Sequence, residues 1–513
     1  MHKNKIYEDY INSDSALSDF FSVLPKDFNK KLKDISFLSL YSSKSTDSFT
    51  KFTIVSGQQP AIFGGPLYTY YKIIALKKLA KFLSDDFNID IQPIFWVHSW
   101  DNDWEEACVA NFLTYDYKIF TVKYIPNEED KGKALHKITL NKPYLASQIE
   151  EAFLRVKSSD FTEILKKEIK NLLDYSSNLS DWSTILLKYF FSNFNDVAIF
   201  EPHIQPNFTL LSEVIVRAIE NHEQLYMILE KTSQNLLELK YKPQVHKSKT
   251  DAFFFIEENN KRTKVFYDEG FFISDCSQKK WTKSELLSIL KYEPERFTPN
   301  LITRCIYQQM LLNPIIYIAG PAEVAYWAQL KGIFDFYSLP MPVIYPRPRI
   351  VLIPPKINKW LSDLGIKTTD ILQNKNLLTN YFEYYFNTSV EINDLVSDVL
   401  SDLNEKFLPK IYQTLKEKFL HISELDKFYS SSVERINEEI TKLIQKLCKL
   451  SKQKDNQVNT RITCIKNTLF PNDNYQERFF TPISFFSELG LEILKVIEDK
   501  TDIKSFGVQG IEL

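Results

Sequence analysis

Residues 56–72 read SGQQPAIFGGPLYTYYK and crowd amides, hydroxyls, one cation and three glycines together. Only 11 of the 513 residues are glycine, yet Gly57, Gly64 and Gly65 fall within nine positions. Glycine is kept where φ must be positive or where something approaches the backbone closely. An apolar, β-branched run precedes this stretch. A helical pattern follows from Leu67, with Pro66 suited to its first turn. Strand, glycine loop and helix N-terminus together aim unpaired N–H groups and a positive dipole end at a ligand. An anion is therefore expected at this loop, with Gln58, Gln59, Tyr68, Thr69 and Lys72 around it; the competing reading is a tight strand–helix turn packed against a neighbouring strand. The pattern is neither a P-loop nor GxGxxG, so it names no nucleotide.

Three further stretches could carry chemistry. FWVHSWDNDWEE (95–106) gathers Trp96, Trp100 and Trp104 with Asp101, Asp103, Glu105 and Glu106. Carboxylates at a strand C-terminus can act as bases, orient an amine or hold a cation. The competing reading is an acidic helix N-terminus with tryptophans as packing. Residues 300–349 run strand, AGPAE turn, helix, strand and PRPR, offering Gly320, Glu323, Tyr326 and Gln329 at helical spacing. Arg304, Arg347 and Arg349 there suit phosphate or carboxylate, unless they pair internally. In LFPNDNYQERFF (469–480), a Pro-Asn-Asp-Asn turn leads to Gln476, Glu477 and Arg478 and could fold back over a core.

These residues need a frame. Apolar runs at 52–57, 91–99, 196–202, 314–321 and 342–347 each end in small, polar or proline residues, with helical patterns between. That alternation predicts a parallel, doubly wound sheet with ligands at the strand C-termini. The wide gaps after the second and third runs predict insertions: an added β element at 115–125, helices over 147–194, and a meander over 250–282. Beyond 390, Val433, Ile436, Ile440, Leu443, Leu447 and Leu450 form an a/d seam spaced 3-4-3-4-3. A second apolar set, Leu403, Phe407, Ile411, Leu415, Phe419 and Ile422, precedes it, so an antiparallel helical hairpin is expected, reversing within ISELDKFYSSS.

A formal net charge of −3 gives no electrostatic reason to expect nucleic acid. The five cysteines show no CxxC pair and the seven histidines no ligand spacing, so reduced thiols and no metal site are expected. No apolar run reaches the roughly 18 residues that span a bilayer, and MHKNKIYEDY lacks a signal core. A soluble, cytoplasmic protein is the expectation.

Taken together, SGQQPAIFGGPLYTYYK, PIFWVHSWDNDWEE, IIYIAGPAEVAYWAQLKGIF with PMPVIYPR, and LFPNDNYQER resemble the cysteine ligase family of bacillithiol biosynthesis, BshC. Their order and separations fit too, as do DYINSDSALSDFF and the QVH near 244, so the resemblance spans essentially the whole chain. It implies an α/β fold: a Rossmann-like parallel sheet core, class I aminoacyl-tRNA synthetase-like, with connecting-peptide insertions and a C-terminal α-helical coiled coil. The expected divisions are 1–110, first part of the core; 111–194, an insertion; 195–245, core; 246–295, a second insertion; 296–385, second part of the core; 386–470, coiled coil; 471–513, a segment returning to the core. The resemblance also implies joining the carboxyl of cysteine to the amine of glucosaminyl malate. ATP with Mg²⁺ is expected because a free carboxylate needs activation, and a homodimer is expected through the coiled coil.

In that scheme Asp101, Asp103 and Lys72 are the candidate catalytic residues. Substrate would meet the glycine-loop residues above with Trp96, Asn102, Arg304, Gly320, Glu323, Tyr326, Gln329 and Arg347. A nucleotide would meet Asn472, Gln476, Glu477 and Arg478. The chain departs from the family where Glu-Asp-His-Asp is usual: Trp100, Asp101, Asn102 and Asp103 stand there. Gln309 replaces an expected Asp, and Pro348-Arg349 a small polar residue. Asparagine keeps a hydrogen bond but cannot titrate. Two alternatives follow: a non-catalytic ligand-binding or regulatory paralogue, or a nucleotide-fold transferase acting on a related amino sugar.

Overall fold

The computed structural model describes residues 5–42, 52–87, 90–194, 196–374, 377, 397–398, 400–419 and 423–513. Five strands build the central sheet: β1 (Phe52–Gln58), β2 (Ile91–Val97), β3 (Ala198–Phe200), β4 (Pro314–Ala319) and β5 (Val343–Pro346). They are the five runs read from the sequence, and every pairing among them is parallel, in the order β5-β4-β1-β2-β3. Ile54, Val55, Ile316, Tyr317 and Ile344 are wholly buried. A parallel strand covered on both faces reads as a continuous apolar run, and each such side chain contributes about 1.5–3 kcal/mol by leaving water.

That strand order reverses direction beside β1. The chain winds outward through β2 and β3, then returns to place β4 on the other side of β1. In open α/β sheets the crevice for ligands lies at this reversal, outside the strand C-termini. The helix Leu67–Phe87 follows β1 and is buried through Ile74, Leu76, Leu79 and Leu83.

The gaps hold the expected additions. Strands Val109–Leu113 and Ile119–Lys123 form a hairpin, followed by helices Lys142–Arg155, Thr162–Tyr175 and Leu179–Phe190. Asp251–Glu258, Lys261–Asp268, Phe271–Ser274 and Lys280–Thr282 form an antiparallel meander, which Phe297–Pro299 joins at its edge. Two-residue turns connect its first three strands. Both central residues have positive φ at Asn259-Asn260 (52° and 63°) and at Glu269-Gly270 (48° and 86°), the geometry whose twist matches paired strands.

Two compact units result. One takes in the chain up to Leu352 with Asp473–Ile511; the other comprises Ile353–Asn472 with the last two residues. In the second, helix Leu425–Leu469 carries the a/d stripe. Tyr412 of helix Leu408–Lys418 packs its ring 4.4 Å from that of Tyr429, so the hairpin forms. Its reversal precedes Leu425, and Ile422 lies outside the described residues. Ile436, Leu443, Leu447 and Leu450 are exposed. Among the described residues no helix is long and apolar enough to cross a membrane.

Candidate functional site at the strand C-termini

The glycines are explained first by backbone. A Cβ on Gly57 would stand 2.6 Å from the Trp96 carbonyl and 2.9 Å from His98 Nε2, so only glycine lets the ends of β1 and β2 approach. Gly64 and Gly65 have φ of +77° and +78°, and a Cβ on Gly64 would sit 2.3 Å from the Tyr70 hydroxyl. The Leu67 N–H, expected to face a ligand, instead donates to the Phe480 carbonyl at 2.9 Å. Thr69 is buried with a hydroxyl that meets no partner.

Lys72 is likewise occupied. Its Nζ donates to the Gly57 carbonyl (2.7 Å) and Gln58 Oε1 (3.1 Å) and pairs with Glu323 Oε2 at 2.7 Å. These three partners take all three ammonium protons, so Lys72 positions its neighbours and has no proton contact left for a substrate. Glu323 also accepts from the Gly320 N–H (2.7 Å) and the Tyr317 hydroxyl (2.9 Å). Burial works to raise the Glu323 carboxyl, but Lys72 and these donors outweigh it and keep the group ionised. Gln58 passes the chain on, donating from Nε2 to the Tyr68 hydroxyl at 2.9 Å.

Several other candidates hold structure together. Arg347, expected to face an anion, is turned to Glu477 in a bidentate pair of 2.8 and 2.7 Å, and both side chains are buried. Gln476 exchanges two hydrogen bonds with the Leu352 backbone (2.7 and 2.9 Å). The segment expected near a nucleotide thus anchors itself to the core through Gln476 and Glu477. Asn472 is exposed and belongs to the other compact unit. Gln329 accepts from the Gln244 and Val245 N–H groups at 2.9 and 2.7 Å and so fixes that segment. Asp103 caps the helix Trp104–Ala107, accepting the Glu106 N–H at 3.1 Å, a role worth about 0.5–2 kcal/mol.

Apart from Tyr326, the remaining candidates divide between two cavities. The larger, about 450 Å³, opens past the end of β2 against the meander, and it takes in Trp96, Asp101, Asn102 and Arg304. Sequence reasoning missed other residues that line it, among them His98, Lys247, Asp251, Arg262 and Lys264. Arg262 and Lys264 are two apart on one strand and so share a face, a signal present in the sequence. Arg262 donates to Asn102 Oδ1 (3.0 Å), Thr298 Oγ1 (3.0 Å) and the Pro299 carbonyl (2.8 Å). Its burial, offset by Asp101, lowers its pKa to about 10, so it stays cationic at neutral pH. Arg304 donates to His98 Nδ1 (3.2 Å) and to the Tyr326 hydroxyl (3.3 Å). The same guanidinium nitrogen lies 3.4 Å from His98 Nε2, and because arginine has no lone pair to offer, the ring nitrogen it meets is the acceptor. Burial, then Arg304 and Lys72, hold the His98 pKa well below its usual value. His98 is therefore a neutral fixture with its basic nitrogen already occupied.

The departures from the Glu-Asp-His-Asp pattern have local partners. Trp100 packs its ring 5.8 Å from Tyr307, and Asn102 is tied to Arg262. Gln309 is buried and donates to Asn313 Oδ1 at 3.1 Å. Of the motif's two carboxylates, Asp101 lines the cavity, with an oxygen 4.0 Å from Arg262, while Asp103 is the helix cap.

The smaller cavity, about 280 Å³, takes in Gln58, Gln59, Gly65, Tyr68, Glu106 and Arg478. One lining residue of each cavity meets the other where β1 and β2 end: the His98 N–H of one donates to the Gln58 carbonyl of the other at 2.9 Å. Among the described residues no three His, Cys, Asp or Glu side chains converge to hold a metal ion.

Comparison with known proteins agrees with this architecture. The family model described as "Bacillithiol biosynthesis BshC, N-terminal Rossmann-like domain" matches residues 42–348, and "Bacillithiol biosynthesis BshC, C-terminal coiled-coil domain" matches 350–513. Relatives named "Putative cysteine ligase BshC" include one from Staphylococcus carnosus, 25% identical over 463 residues, covering 86% of this chain and 81% of the relative. Another, from Staphylococcus epidermidis, is 24% identical over 467 residues with the same coverage. A solved chain described as a "putative arginyl t-RNA synthetase" from Campylobacter jejuni aligns over 92% of this chain and 98% of its own. Its identity is 10% and its TM-score 0.26, too loose to support an argument.

Proposed function

The chain belongs to the bacillithiol biosynthesis BshC family, and from that premise we propose that it is a cysteine ligase, joining the cysteine carboxyl to the amine of glucosaminyl malate. The observation that carries the substrate is the larger cavity, where Arg262, Arg304, Lys247 and Lys264 outnumber Asp101 and Asp251. Paired guanidinium groups are the side chains best matched to carboxylates, and malate brings two. Arg262 and Arg304 hold those carboxylates in this reading. Asp101 accepts a hydrogen bond from the sugar amine and orients its lone pair.

Amide formation needs the cysteine carboxyl oxygen to become a leaving group, and ATP supplies that chemistry. The amine nitrogen then bonds to the carbonyl carbon, the activated C–O bond breaks, and the nitrogen sheds a proton. Mg²⁺ is expected with the nucleotide. The test is mass spectrometry of the protein with glucosaminyl malate, cysteine, ATP and Mg²⁺, and a protein-dependent product at the mass of bacillithiol is expected. Trp100 packed on Tyr307 and Asn102 held by Arg262 favour a second reading, a binding paralogue. Glucosaminyl malate bound without any product would establish that reading instead.

A pH dependence follows from Lys247, whose Nζ donates to the Ala252 carbonyl at 2.7 Å in the cavity wall. Burial, offset by Asp251 and reinforced by Lys264, lowers its pKa to about 8. The lysine is cationic below that value and neutral above it. Glucosaminyl malate should therefore bind about three- to tenfold more weakly at pH 9.5 than at pH 7, the effect of losing roughly one screened charge contact. Calorimetry across that range checks it, and Lys247→Met should flatten the profile.

A further inference from the structure

The smaller cavity has a charge pattern the larger one lacks, and we infer that it is a subsite for a small L-α-amino acid held by both its charged ends. Arg478 is exposed at the cavity and its guanidinium stands 5.8 Å from the Tyr68 ring. Arg347 stands 5.5 Å from the same ring. The Tyr68 oxygen already accepts from Gln58 Nε2 at 2.9 Å, which leaves its own O–H to donate into the cavity. Burial first of all raises the Tyr68 pKa, so the phenol keeps that proton. An arginine fork beside a phenol donor is a seat for a carboxylate.

The opposite charge lines the same space. The Glu106 pKa is raised, by burial first and then by Asp103, while Arg478 and Gln59 pull it down. Glu105 adds a second carboxylate. These groups match an ammonium. The rest of the lining is mainly apolar, with Ala61, Val109, Ala110 and Phe479 beside Asn111 and Thr481. A zwitterion with a short, uncharged side chain fits that arrangement, whereas a dianion would meet the two glutamates. Because Gln58 and His98, one from the lining of each cavity, share a backbone hydrogen bond, an amino acid here would lie on the acceptor's side of the sheet. The choice of cysteine among small amino acids rests on the ligase reading.

Calorimetry with L-cysteine under reducing conditions tests the subsite. The protein is expected to bind L-cysteine, and Arg478→Ala and Glu106→Gln should each weaken binding at least tenfold with unchanged melting temperatures. Cysteamine, which lacks the carboxylate, should bind at least tenfold more weakly than L-cysteine and lose less than twofold further in Arg478→Ala. Both variants binding L-cysteine within twofold of the parent would overturn the subsite, as would a parent protein that binds none. Failure of the ligase reading looks different: no bacillithiol forms although L-cysteine binding stays sensitive to Arg478 and Glu106. That outcome keeps the subsite and removes only the reaction.

Discussion

Replacing Glu477 with alanine is expected to cost about 3–5 kcal/mol of folding stability, because it strands a buried charge. Arg347 and Glu477 are 2% and 3% exposed at their side chains. Glu477 accepts both arms of the guanidinium and also the Ile350 N–H at 3.1 Å. Removing the carboxylate leaves the cation in a low dielectric with, among the described residues, the Pro348 carbonyl still accepting from its side chain at 2.9 Å. The double change Arg347→Met with Glu477→Leu should recover most of the loss, since apolar groups of similar volume often replace a buried pair without penalty. Urea denaturation of the three proteins decides the matter. A single Glu477→Ala variant within 1 kcal/mol of the parent would show that water reaches the pair.

The second large effect is expected in turnover. Arg262→Ala should lower kcat/KM for glucosaminyl malate about a hundredfold and leave the KM for cysteine within about threefold. Of its five N–H groups three are engaged by Asn102, Thr298 and Pro299, which leaves two for a carboxylate. Hydrogen bonds to a charged group contribute about 1.5–3 kcal/mol each, so even one lost contact approaches that factor. Arg262→Lys keeps the charge but not the fork and should fall between. Steady-state kinetics with each substrate varied would expose the opposite result, a loss confined to cysteine, which would move the acceptor out of this cavity.

Much of the scaffold was legible because buried parallel strands announce themselves as apolar runs. The meander over 250–282 was readable in the same local way, from its residue pattern, and its first two turns prove to be tight ones at Asn259-Asn260 and Glu269-Gly270. What sequence could not deliver was pairing across distance. Arg347 and Glu477 stand 130 residues apart, and Asn102 and Arg262 stand 160 apart. An arginine that meets a ligand and one that meets a glutamate have the same local surroundings in a string of letters. Lys72 reads as a free cation for the same reason, since Glu323 reaches it only after β4 has crossed to β1's other side. Asp103 was recoverable: Asp-Trp-Glu-Glu before a short helix is a cap followed three residues later by glutamate.

The Arg347–Glu477 pair also has a meaning for synthesis of the chain. All five strands of the central sheet have left the ribosome once Pro346 has emerged, yet Arg347 then lacks the carboxylate that neutralises it. Glu477 follows 130 residues later, and at translation rates of about 5–20 residues per second that is an interval of roughly 6–26 s. During that interval the nascent sheet carries an uncompensated cation beside β5. The core can close around Arg347 only when the segment carrying Glu477 arrives, so the pair is completed long after the last strand of the sheet it flanks.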